Sequence, residues 1–187
     1  MRVLDADEAN KYLSTVGMKV GSRNDLCDAS GREYDREHQV RYQAPKSARE
    51  LHNFAQHVAS WLSNGKWKIF QIDYSTALAY DDEAFLIRRF LFCSNEEMPV
   101  HRTLLFEIES GGPSEELFFS NLIFLFLLFQ ESGTAVSSNS RSGKYLWIVD
   151  GFVYFMSRDD DDLAQARTLL KRFEEHPLRG VGYSDEP

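Results

Sequence analysis

From Leu117 to Phe129 the chain reads LFFSNLIFLFLLF, large and apolar at every position except Ser120 and Asn121. Such a run predicts a helix buried on nearly all sides. A membrane-spanning helix needs about 20 apolar residues, and this run is shorter and bounded by Ser114-Glu115-Glu116 and Gln130-Glu131-Ser132-Gly133. It therefore belongs to a core. Ser114 is the expected N-cap, the two glutamates suit the positive end of the helix dipole, and Gly133 is the expected left-handed stop.

Other segments follow the helical period. Asp5 and Glu8 have capping-box spacing ahead of Ala9, Tyr12, Leu13 and Val16, with Gly17 as terminator. Ser47 and Glu50 form a second such pair, followed on one face by Leu51, Phe54, Ala55, Val58, Trp61 and Leu62, so residues 47–64 are expected to be a helix. A last helix runs from Leu163 through Ala166, Leu169, Leu170 and Phe173, with Asp159 to Asp162 at its positive end.

Residues 66–74, 84–92 and 102–109 read as three consecutive strands, and Tyr145 to Met156 reads as a hairpin turning at Asp150-Gly151. A two-residue turn sets Val149 opposite Phe152, Trp147 opposite Tyr154 and Tyr145 opposite Met156. Leu146, Ile148, Val153 and Phe155 then share the other face, which should pack on helices. Residues 134–144, TAVSSNSRSGK, read as a flexible loop. The predicted fold is α+β: a mainly antiparallel sheet, made of a three-strand meander plus a C-terminal hairpin, packed with a central apolar helix and amphipathic helices.

A chain of 187 residues with 14 Phe can bury a large core, so 1–187 is expected to be a single domain, with 18–44 a polar loop or arm and 178–187 a frayed tail. The start, MRVLDADEANKYL, has early charges and no apolar signal segment, which points to the cytoplasm. Cys27 and Cys93 lie far apart and form no CxxC pair, so neither a disulfide framework nor a zinc site is expected.

Twenty-nine acidic residues against 21 basic ones give a net charge of -8. Nucleic acid is then an unfavourable partner and a basic protein a favourable one. Catalytic motifs are missing: there is no GxSxG, HExxH or GxGxxG. Ser138 and Tyr145 stand where a phosphate loop ending at Gly143-Lys144 would need glycine and Ser or Thr. His52 and His57 lie five apart, about 140° around a helix, too far to share a metal. No enzyme, cofactor or metal is expected.

The pattern left is that of an acidic interaction protein. Candidate contact residues are the carboxylates Asp81, Asp82, Glu83, Glu96 and Glu97, together with Trp147 and Tyr154 on the aromatic face of the hairpin. Bacterial immunity proteins, which neutralise cationic toxins, share this profile of charge and size. Two alternatives stand beside it: a small-molecule binding module using the aromatic hairpin face, and a hydrolase with an acidic site drawn from Asp73, Glu107 and Glu109.

Overall fold

A computed structural model describes residues 2–21, 26–30, 34, 36–62, 65–73, 102–107, 113–140 and 143–177. In chain order these hold β1 (Arg2–Leu4), α1 (Ala6–Leu13), β2 (Met18–Val20), β3 (Leu26–Asp28), β4 (Gln39–Gln43), α2 (Ala48–Trp61), β5 (Trp67–Asp73), β6 (Arg102–Glu107), α3 (Pro113–Leu128), β7 (Ser132–Ser137), β8 (Tyr145–Val149), β9 (Phe152–Met156) and α4 (Asp160–Leu169). The fold is α+β. Seven strands form one antiparallel sheet in the order β1-β6-β5-β7-β8-β9-β4, and β2 pairs with β3 in a separate hairpin.

Alternation along β5 sends successive side chains to opposite faces of the sheet. Phe70 enters a large cluster with Phe54, Val58 and Trp61 of α2, Phe119, Ile123 and Phe126 of α3, and Leu163 and Ala166 of α4. Its neighbour Ile69 enters a smaller cluster with Ala9 and Leu13 of α1, Met18 and Leu26. Helices α2 to α4 thus cover one face, while α1 and the β2–β3 hairpin cover part of the other.

The expected helix starts hold. Asp5 and Glu8 form a reciprocal capping box. Ser47 Oγ accepts the Glu50 N–H at 3.2 Å, while the Glu50 carboxylate turns to the Ser47 hydroxyl at 3.0 Å. Asp159 caps α4 by accepting the Asp161 N–H at 3.0 Å.

Both expected ends of α3 are corrected. The helix begins at Pro113, which suits a first helical position because proline lacks the N–H that would be unpaired there, so Ser114 lies inside the first turn. It ends on Gln130, whose φ of 56° is left-handed, with Glu131 N–H reaching Phe126 O at 2.8 Å. Gly133 lies instead in β7, where an added Cβ would sit 2.7 Å from Phe70 Cζ and 2.9 Å from Gln71 O. Its missing side chain permits close approach to β5.

Two expected loops are also corrected. Within the 18–44 arm lie β2, β3 and β4, the last an edge strand of the large sheet. Residues 134–137 belong to β7, the middle strand of the sheet, buried between β5 and β8. A strand buried on both faces shows no polar alternation. The last helix stops at Leu169, and Glu175 instead bridges Tyr42 on the outer edge of β4, with His176 N–H donating to Arg41 O at 2.7 Å. Strands β5 and β6 pair directly with each other; residues 84–92 and the tail 178–187 lie outside the described residues.

Candidate functional site

Asp150 and Gly151 take φ values of 50° and 73°, the left-handed pair of a tight hairpin turn. The register follows as expected: Tyr145 faces Met156, Trp147 faces Tyr154 and Val149 faces Phe152. Leu146, Ile148, Val153 and Phe155 are buried against the helices. On the opposite face, Tyr145 meets Tyr34 edge-on at 5.2 Å and packs on the smaller cluster. Trp147 stands clear of it, 38% exposed.

The Trp147 and Tyr154 rings are 5.1 Å apart at 35°, close to offset stacking. Beyond Tyr154, Arg41 of β4 is its register partner, so the row continues across three strands. The Arg41 guanidinium lies 4.7 Å from the Phe152 ring centre and 5.7 Å from that of Tyr154. Its Nη1 donates to Tyr154 Oη at 3.3 Å and its Nη2 to the Pro177 carbonyl at 2.5 Å, with His176 Nδ1 at 3.4 Å from Nη2. The His176 ring closes the row edge-on to Phe152 at 5.5 Å. Trp147, Tyr154, Arg41, Phe152 and His176 therefore form a continuous strip on the half of the sheet left uncovered by α1.

Arg41 escaped notice because its segment read as an arm. Its own pattern, Gln39-Val40-Arg41-Tyr42-Gln43, alternates as a half-buried strand should, with Val40 and Tyr42 buried.

The strip is anchored at its covered end by a polar cluster. Arg158 pairs with Asp28 and lies 4.4 Å from the Tyr34 ring centre, while Tyr34 Oη donates to Gly143 O at 2.5 Å. Burial resists charge on Asp28, but the Ser30 hydroxyl, Arg158 and the Ser30 N–H outweigh it and hold the carboxyl below its ordinary value. Burial pushes the Tyr34 phenol up to about 12 and the Tyr145 phenol up as well. The hydrogen bond to Asp28 raises Arg158. These groups clamp the β2–β3 hairpin to the sheet.

Asp81, Asp82, Glu83, Glu96 and Glu97 lie outside the described residues. Two of the four aspartates at the start of α4 are structural: Asp159 caps the helix, and Asp162 in its first turn binds Lys144 Nζ at 2.8 Å and accepts from Ser157 Oγ at 2.7 Å. The backbone register sets Glu107 opposite Trp67 and Asp73 opposite Ser132, at opposite ends of β5, about 20 Å apart for six residues of extended chain. His52 packs edge-on to Phe124, and His57, its basicity lowered by burial and by Arg172, contacts Arg172 and Phe173. Among the described residues no cluster of His, Cys, Asp or Glu is placed to hold a metal, and no helix is long and apolar enough to cross a membrane.

A groove of about 590 Å³ lies between the β4–α2 connection and the segment after α4, lined by Lys46, Glu50, Asn53, Arg172, Phe173 and His176 among others. Trp147 and Tyr154 do not line it. Comparison with protein-family models, with curated proteins and with solved structures finds no match for this chain.

Proposed function

We propose that this is a non-enzymatic interaction protein that holds a protein partner on the strip formed by Trp147, Tyr154 and Arg41. The observation that carries the reading is the exposed Trp147 stacked on Tyr154 and continued by Arg41. Trp, Tyr and Arg dominate the energetics of protein interfaces because each offers a large, stiff surface with a polar end. Trp147, Tyr154 and Arg41 lie on a sheet face and do not line the groove, which meets the strip only at His176; such a face suits a protein-sized partner better than a small molecule.

The net charge of -8 supports a basic partner, whose encounter it would accelerate. In its sharpest form the reading makes the partner a cationic toxin and this chain its cytoplasmic immunity protein in a bacterium. Asp81, Asp82, Glu83, Glu96 and Glu97 are then steering charges.

The test is co-purification from the native host, read by mass spectrometry, followed by binding of the isolated partner to wild type and Trp147→Ala. A central anchor costs about 2 kcal/mol or more when truncated, about 30-fold in affinity. Association with wild type should slow steeply as salt shortens the Debye length below about 10 Å, while dissociation changes little. Equal binding by Trp147→Ala, or recovery of the chain with only a small metabolite against Trp147 and Tyr154, would overturn the reading and favour the ligand-binding alternative.

A further inference from the structure

Among the described residues, three of the four Lys and Arg side chains that are not exposed are matched to carboxylates: Lys68 to Glu116, Lys144 to Asp162, Arg158 to Asp28. Half-buried Arg41 differs. Its contacts, Tyr154 Oη, His176 Nδ1 and Pro177 O, include no carboxylate, and its buried Nε has no acceptor among the described residues. The carboxylate nearest along the adjoining segment, Glu175, is committed elsewhere, to Arg167 Nε at 3.0 Å and Nη2 at 3.3 Å. Stacking on Phe152 and Tyr154 stabilises the charge in part, but no anion among the described residues neutralises it.

We infer that Arg41 is the anchor for an acidic side chain, Asp or Glu, of the protein partner, carried on a segment that crosses Trp147 and Tyr154. This rests on the strip being the contact surface. The incoming carboxylate replaces the Pro177 carbonyl, whose residue is exposed. It then spans Nη2 and Nε side-on, exchanging one neutral acceptor for two charge-assisted bonds and satisfying the orphan N–H. A basic partner with one acidic residue at this point would combine fast encounter with a fixed register, because the -8 surface repels acidic segments everywhere that lacks such a cation.

Arg41 can be tested without the partner. The Nε–H resonance of Arg41 and the backbone N–H resonance of Tyr154, its register partner, are followed by NMR in the full chain during titration with a capped tripeptide bearing a central glutamate. The same tripeptide with glutamine, and an N-acetylated triglycine with a free C-terminal carboxylate, serve as comparisons at equal ionic strength. A saturable shift of both resonances with the glutamate peptide, absent with glutamine and lost at the Tyr154 amide in Arg41→Lys, supports the inference; Arg41→Lys keeps the charge but not the fork, and its melting curve checks folding. Equal titration by the glutamine peptide, unchanged titration of Arg41→Lys, or a response to the terminal carboxylate alone overturns it. With the partner in hand, Arg41→Lys should lose about 10- to 100-fold in affinity. If Trp147→Ala weakens the partner and Arg41→Lys does not, the anchor is refuted and the contact surface stands. If neither variant matters, the contact surface is refuted and the peptide titration alone decides Arg41.

Discussion

Lys68 is wholly buried on the helix-covered face of β5, where its ammonium binds the Glu116 carboxylate of α3 at 2.6 Å and lies 5.5 Å from the Phe119 ring centre. Removing the carboxylate strands a charge in the core. Breaking a buried pair in this way costs about 3–5 kcal/mol, whereas replacing both members by apolar side chains of similar volume is often neutral or stabilising. The Glu116 side chain keeps 33% of its exposure, so water screens part of the attraction and the lower end, about 3 kcal/mol, is expected for Glu116→Ala. Lys68→Met keeps the stem that fills the core, and the released carboxylate can turn toward solvent, so a change within about 1 kcal/mol is expected. The double variant Lys68→Met with Glu116→Gln should be more stable than Glu116→Ala. Urea denaturation at constant slope measures all three, on a total stability of about 5–15 kcal/mol. The reasoning fails if Glu116→Ala costs under about 1 kcal/mol, or if Lys68→Met costs as much as Glu116→Ala.

Three further outcomes are expected. Leu127→Ala, at a site 3% exposed, should cost about 2–5 kcal/mol, while Leu117→Ala, at 52%, should stay within about 0.5 kcal/mol; equal midpoints in urea would mean that α3 is oriented differently. Gly133→Ala should destabilise by about 1–3 kcal/mol through its clash with the Phe70 ring, and an unchanged melting temperature would refute the close approach of β7 to β5. Because Asp28 titrates below its ordinary 3.8 in the folded chain, its contribution is present above that value and lost as pH falls through the folded value. Asp28→Asn should therefore be less stable than wild type at pH 7, with the gap closing below about pH 4; a gap independent of pH would count against the Arg158 pairing.

Local chemistry alone determined much of this chain. The Asp5 and Ser47 caps, the left-handed Asp150-Gly151 turn and the hairpin register all depend on atoms within a few residues of one another, so they are legible from spacing. That the run from Leu117 to Phe129 belongs to the core was equally legible, and Phe119, Ile123 and Phe126 are buried in it; burial on nearly all sides was not, because Leu117 and Leu128 stay 52% and 42% exposed. Trp147 and Tyr154 were legible as a pair for the same reason as the register.

Non-local pairing decided the rest. Residues 134–137 carry small, mixed side chains that suit a loop, and they belong to the middle strand because β5 pairs with all four and β8 with Thr134 and Ala135. Gly133 looked like a helix stop until the sheet brought Phe70 against it. Asp73 and Glu107 looked like possible companions until the antiparallel register set them at opposite ends of β5. Arg41 entered the site only when β4 paired with β9, more than 100 residues away in the chain. Sequence spacing constrains what a residue can do within its own element, but which strand lies beside it depends on pairings whose partners are remote in the chain.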